Sequence, residues 1–73
     1  MSRMEPNIRI TVNGEEISVP VRTTIADLLV RLDITQAAVA VELNLEVQPK
    51  TAFAQRALCP EDRVEIVTLV GGG

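Results

Sequence analysis

An Asn-Gly pair at positions 13 and 14 separates two stretches that alternate apolar and polar residues. Ile8, Ile10 and Val12 alternate with Arg9 and Thr11 before it; Ile17, Val19 and Val21 alternate with Ser18 and Pro20 after it. Period-two patterning sends successive side chains to opposite faces of a strand. Asn-Gly tolerates the positive φ angles of a type I′ turn, so residues 8–21 are predicted to form a β-hairpin. Pro20 has no N–H to give to a ladder, and its strand is expected to lie at a sheet edge or to end there.

The period changes over residues 24–33. Ile25, Leu28, Leu29 and Leu32 fall at i, i+3, i+4 and i+7, which places four aliphatics on one helical face and turns Asp27, Arg31 and Asp33 to water. Thr24 and Asp27 stand in capping-box spacing, with the acid near the positive end of the helix dipole. The helix is expected to start near Thr24 and to fray around residues 33–35. Val39, Val41 and Leu43 then restore period two and mark a third strand. Asn44-Leu45 is read as a turn into a short run, Glu46-Val47-Gln48, that Pro49 terminates. Residues 50–58 form a turn of helix with Phe53 beneath it as a packing residue. Cys59-Pro60-Glu61-Asp62 is a loop before a final strand over residues 63–70. In that strand Val64, Ile66 and Thr68 share one face; Glu65, Val67 and Leu69 share the other.

Strand, strand, helix, strand, short elements, strand is an α+β order, with one helix covering one face of a mixed sheet. A chain of 73 residues buries only about 60% of the surface its unfolded form exposes, so one modest core is all that is available.

The inventory of reactive side chains is short. There is no His, Trp or Tyr, one Lys (Lys50), one Phe (Phe53) and one Cys (Cys59). Without histidine no side chain titrates near neutrality unperturbed, so acid–base catalysis falls to tuned carboxylates or the lysine. Zinc sites of Cys and His, and an intramolecular disulfide, are impossible. The neighbours of Cys59 are Pro60, Glu61 and Asp62, and nothing among them lowers a thiol pKa; it reads as a small apolar residue rather than a sulfur-bearing group. A net charge of −3 opposes binding to nucleic acid, which needs a basic face. Apolar runs fall far short of the roughly 20 residues that span a bilayer. The expectation is a cytoplasmic protein with no nucleic-acid or membrane partner. Glu15 and Glu16 beside the first turn are solvent-facing; Glu61, Asp62 and Glu65 are either a solvated face or a patch for a basic partner.

The sequence ends Leu69-Val70-Gly71-Gly72-Gly73. Three glycines lose more backbone entropy on ordering than any other tripeptide, which predicts a flexible tail over residues 71–73. Extended, it reaches at most roughly 10 Å, and without Cβ atoms it can enter a channel closed to other sequences. The competing reading is a frayed end. Val67 and Leu69 are apolar where a solvated face is polar, so they belong either to the core or to a docking surface that continues into Val70.

Val39-Ala40-Val41-Glu42-Leu43-Asn44, Val47-Gln48-Pro49-Lys50, Glu61-Asp62-Arg63-Val64-Glu65-Ile66-Val67 and the ending Val70-Gly71-Gly72-Gly73 together resemble the ThiS family. These are sulfur carriers of thiamine biosynthesis, relatives of the molybdopterin-synthase small subunit and of ubiquitin. The resemblance covers the chain from Ile8 onward. It implies a ubiquitin-like β-grasp domain over residues 7–70, a mixed sheet of four to five strands on one main helix. Residues 1–6 have no counterpart and are expected to be a disordered leader. Two positions depart from the family pattern. Leu45 follows Asn44 where Asn-Gly is usual, which leaves that turn's geometry open and adds an aliphatic to the surface. Cys59-Pro60-Glu61-Asp62 replaces a loop that commonly carries Gly between two acids.

The resemblance also implies a mechanism. A terminal carboxylate has a pKa of about 3.5 and is an anion at neutral pH, resistant to nucleophiles until activated. In the family an E1-like adenylyltransferase (ThiF-like) uses MgATP to form an acyl-adenylate at the position of Gly73. Sulfur from a cysteine desulfurase or another donor then yields a thiocarboxylate, which a thiazole synthase (ThiG-like) consumes. Gly71, Gly72 and Gly73 are the tail the partners recognise, and Val67, Leu69 and Val70 are candidate docking residues. The chain is then a carrier and co-substrate with no bound cofactor or metal and no catalytic residue of its own. Carrier chemistry serving molybdopterin, a ubiquitin-like modifier joined to lysines through Gly73, and an interaction module with an inert tail remain as alternatives.

Overall fold

Residues 6–69 are described by the computed structural model of the chain. The leader and the glycine tail expected from the sequence lie outside that range, Pro6 excepted. Its carbonyl accepts the Val21 N–H at 3.1 Å, on the first rung of the hairpin. Strand β1 (Asn7–Val12) and strand β2 (Glu15–Pro20) pair antiparallel about Asn13 and Gly14, whose φ angles of 49° and 85° are those of the expected type I′ turn. Hydrogen-bonded rungs alternate with open ones along an antiparallel pair. The rung at Pro6 and Val21 therefore puts the Asn7–Pro20 pair on an open one. The missing proline N–H faces away from β1, and β2 is an edge strand.

Helix α1 (Ile25–Arg31) begins at the predicted capping box. Thr24 Oγ1 accepts the Asp27 N–H at 3.0 Å, and Asp27 Oδ2 accepts the Thr24 N–H at 3.1 Å. The Ile25 and Ala26 N–H groups donate to the Arg56 and Phe53 carbonyls, and Leu28 donates to Thr24. The four N–H groups that open the helix, those of Thr24, Ile25, Ala26 and Asp27, thus have partners, and the Leu28 bond starts the helical ladder. Two of those partners come from residues 53–56, so this segment is tied to the helix start and Phe53 is buried beneath it, as expected.

At its other end the helix does not fray; it is closed. Asp33 takes the left-handed conformation at φ 61°. Its N–H donates to Val30, and the Ile34 N–H reaches back to Leu29 at 2.8 Å. These bonds make a Schellman motif. The closure corrects one expectation: Leu32 is the C-cap and is 37% exposed, while Ile34 folds back onto the core in its place. Ile25, Leu28 and Leu29 are fully buried.

Strand β3 (Val39–Leu43) and strand β4 (Glu46–Gln48) form a second hairpin, and strand β5 (Arg63–Thr68) completes a five-stranded sheet in the order β2-β1-β5-β3-β4. β5 runs parallel to β1 and antiparallel to β3. This mixed sheet on one helix is the β-grasp arrangement. Ile8, Ile10 and Val12 of β1, Val19 of β2, Val39, Val41 and Leu43 of β3, and Val64 of β5 face α1, Phe53 and Leu58 in one core.

The two departures from the family pattern keep glycine-like backbone without glycine. Asn44 and Leu45 have φ 52° and 74°, so the second hairpin also turns in type I′ form, and Leu45 is the exposed aliphatic expected there. In the Cys59 loop the Asp62 N–H donates to the Cys59 carbonyl, with Pro60 second and Glu61 third at φ 72°. That is a type II turn with Glu where Gly is favoured. An L-residue in this region is strained by roughly 1–2 kcal/mol, offset in part by the entropy glycine loses. Leu45→Gly is therefore expected to stabilise the fold by about 1 kcal/mol, raising the melting temperature by about 4–8 °C in a calorimetric scan. Thr24→Ala, which removes the helix cap, is expected to cost about 1 kcal/mol in urea titration.

Candidate functional site

β5 is the last strand among the described residues and is central in the sheet. Its alternation divides its side chains between two environments. Val64 is fully buried and Ile66 packs against the core, whereas Val67 is 53% and Leu69 48% exposed. The core reading of Val67 and Leu69 is thereby removed. Val70, Gly71, Gly72 and Gly73 lie outside the described residues.

The strand register assembles a surface around Val67 on the sheet face turned away from α1. Ala40 stands opposite Val67, Glu42 opposite Glu65, and Val47 of β4 opposite Glu42. Leu69 continues the row by donating its N–H to the Ala38 carbonyl at 2.7 Å. Val47 is largely exposed, while Ala40, Glu42 and Glu65 are half-buried. The result is an apolar strip of Val47, Ala40, Val67 and Leu69 flanking a cross-strand pair of like charges. Directly opposed carboxylates repel, and a cation from outside would relieve them. Ala40, Glu42 and Val47 could not be found by inspection of the sequence, because only the register of β3 against its neighbours brings them beside Val67.

The acids of the last loop do not form one patch. Asp62 is structural: its Oδ2 accepts the Cys59 N–H at 2.7 Å and its Oδ1 accepts from Asn44 Nδ2 at 3.0 Å. Glu61 and Cys59 are exposed on the type II turn, and Glu15 and Glu16 are exposed beside the first hairpin turn. A depression of about 260 Å³ lies among Asn44, Leu45, Glu61 and Arg63, at the end of β5 opposite Leu69. It is not continuous with the apolar strip. Among the described residues no group of three or more Cys, Asp or Glu is placed to hold a metal ion, and no helix is long and apolar enough to cross a membrane.

The geometry is that of a small domain whose surface chemistry gathers beside its last strand. Comparison with known proteins supplies the family. A thiazole synthase of Paramagnetospirillum magneticum is 41% identical over 66 residues, 90% of this chain but only 20% of that protein. The chain therefore spans about a fifth of such a synthase. The sulfur carrier protein ThiS of Bacillus subtilis is 37% identical over 65 residues, 88% of this chain and 98% of that one. The crystal structure of the thiamine biosynthesis protein ThiS from Geobacter metallireducens superposes with a TM-score of 0.74 at 36% identity, covering 90% of this chain and all of its own. Residues 5–73 match the description of the ThiS family, and with a carrier aligned over nearly its full length beside that match, the chain belongs to the ThiS family.

Proposed function

We propose that the chain is a sulfur carrier of thiamine biosynthesis whose Gly73 carboxylate is the reactive group. The observation that carries this reading is the family match, which runs through the terminal glycines. The identity to a thiazole synthase over 90% of the chain favours the thiamine branch over molybdopterin synthesis. It also fits a ThiG-like partner.

The chemistry follows from what a carboxylate lacks. As an anion it has a poor leaving group, so an E1-like adenylyltransferase must first join it to AMP from MgATP, releasing pyrophosphate. The terminal sulfur of a desulfurase persulfide then attacks the Gly73 carbonyl carbon and displaces AMP, leaving an acyl disulfide. A thiol reduces that bond: it attacks the inner sulfur, forms a new disulfide, and the acyl sulfur departs as thiocarboxylate with both electrons. Each of these steps is catalysed by a partner, which fits a chain with no histidine and one thiol. Gly71, Gly72 and Gly73 present the carboxylate without side chains to obstruct a narrow site. Val67, Leu69 and Val70, with Ala40 and Val47 alongside, form the face the activating enzyme grips. The Glu42–Glu65 pair selects a basic group on that enzyme.

Incubation with the E1-like enzyme, MgATP, a persulfide donor and a thiol is expected to raise the intact mass by the difference between sulfur and oxygen. Deleting Gly72 and Gly73 is expected to abolish the gain; a persisting gain would exclude Gly73 as the acceptor. Val67→Lys, an exposed change expected to alter stability by no more than about 0.5 kcal/mol, should raise KM for adenylation by about tenfold. An unchanged KM would remove Val67 from the docking face.

A further inference from the structure

Asn13 lies in the first hairpin turn, yet its side chain is bonded 53 residues away in sequence. β1 pairs with β5 only through Thr11 with Arg63 and Val12 with Val64; the Asn13 N–H adds a bond to the Val64 carbonyl at 2.8 Å. In a continuing parallel ladder the Asn13 carbonyl would next accept from Ile66, but the turn has directed the main chain elsewhere. The side-chain amide takes its place. Asn13 Oδ1 accepts the Ile66 N–H at 2.7 Å, and Nδ2 donates to the Ile66 carbonyl at 3.2 Å. One amide thus supplies both groups that an adjacent strand would have supplied. Asp lacks the donor and Gly lacks both. Asn is also the side chain that tolerates φ 49° at this turn position.

Ile66 is the last residue of β5 with a described tie on this flank. Beyond it, Val67 pairs with Ala40 of β3 and the Leu69 N–H donates to the Ala38 carbonyl just ahead of β3, both from the other side. We infer that Asn13 is a positioning residue for the carrier's reaction. By extending the ladder to Ile66 it fixes the course of β5 through Val67 and Leu69, the residues proposed to dock on the activating enzyme. The inference rests on the proposed carrier function. Asn44 provides the internal comparison. It clasps the opposite end of β5, with Oδ1 accepting the Arg63 N–H at 2.8 Å, six residues upstream of Leu69.

The test compares Asn13→Gly and Asn44→Gly, both of which keep the positive-φ turn while removing the amide. Amide hydrogen exchange on the free protein is expected to quicken by about tenfold or more at Ile66 and to rise at Leu69 in Asn13→Gly, with Leu69 unchanged in Asn44→Gly. In ATP–pyrophosphate exchange with the E1-like enzyme, Asn13→Gly should raise KM about fivefold with kcat held within about twofold, and Asn44→Gly should match the wild type. Unchanged protection at Leu69 in Asn13→Gly would overturn the inference, as would equal KM increases in both variants, which would mark a loss of stability alone. If the wild-type chain is not adenylated, the carrier function fails, and the Leu69 exchange result still decides whether Asn13 orders the strand.

Discussion

The pairing of β5 between β1 and β3 is the contact on which the other elements depend. β1 and β2 form a local hairpin, and so do β3 and β4. Neither pair buries enough apolar surface alone to outweigh the entropy of ordering its chain. β5 joins them into one sheet, and only then is there a continuous face of Ile8, Ile10, Val12, Val64, Val39, Val41 and Leu43 for α1 to cover. Because β5 is also last in the order of elements, the domain completes its core with its final described strand.

The way β5 is held explains an economy in the sequence. Both type I′ turns begin with Asn, and both of these side chains reach β5, Asn13 at Ile66 and Asn44 at Arg63. Each turn therefore reverses its own hairpin and extends the pairing of the central strand past the point where its neighbour bends away. Where glycine is absent from a positive-φ position, as at Leu45, Asp33 and Glu61, surrounding hydrogen bonds hold the backbone in a conformation that the residue itself disfavours. Asp62 binds the Cys59 amide and Asn44, and the Ile34 amide returns to Leu29.

The alternation of β5 divides its side chains between the core and an exposed surface. Val64 and Ile66 belong to the core, while Val67 and Leu69 stand on the surface, where the proposed carrier function gives them to a partner. Under the proposed carrier function, β5 must be rigid enough to carry docking residues and the glycines slim enough to enter another protein's site. Sequence alternation meets the first need and glycine the second.

Patterns of short range are legible in the order of residues alone. The hairpin at Asn13-Gly14, the Thr24–Asp27 capping box, three buried positions of α1 and the alternation of side chains along β3 and β5 follow from local periodicity and from side chains that satisfy nearby backbone groups. Leu32 escapes such a reading because the left-handed turn at Asp33 ends the helix one residue early, and helical spacing does not register such a closure. Tertiary structure alone decided the strand order, the parallel pairing of β1 with β5, and the register that sets Ala40 beside Val67 and Glu42 beside Glu65. It alone decided that Val67 and Leu69 face away from the core. Those choices depend on contacts between residues far apart in the chain, and period-two alternation is the same whichever neighbour a strand selects.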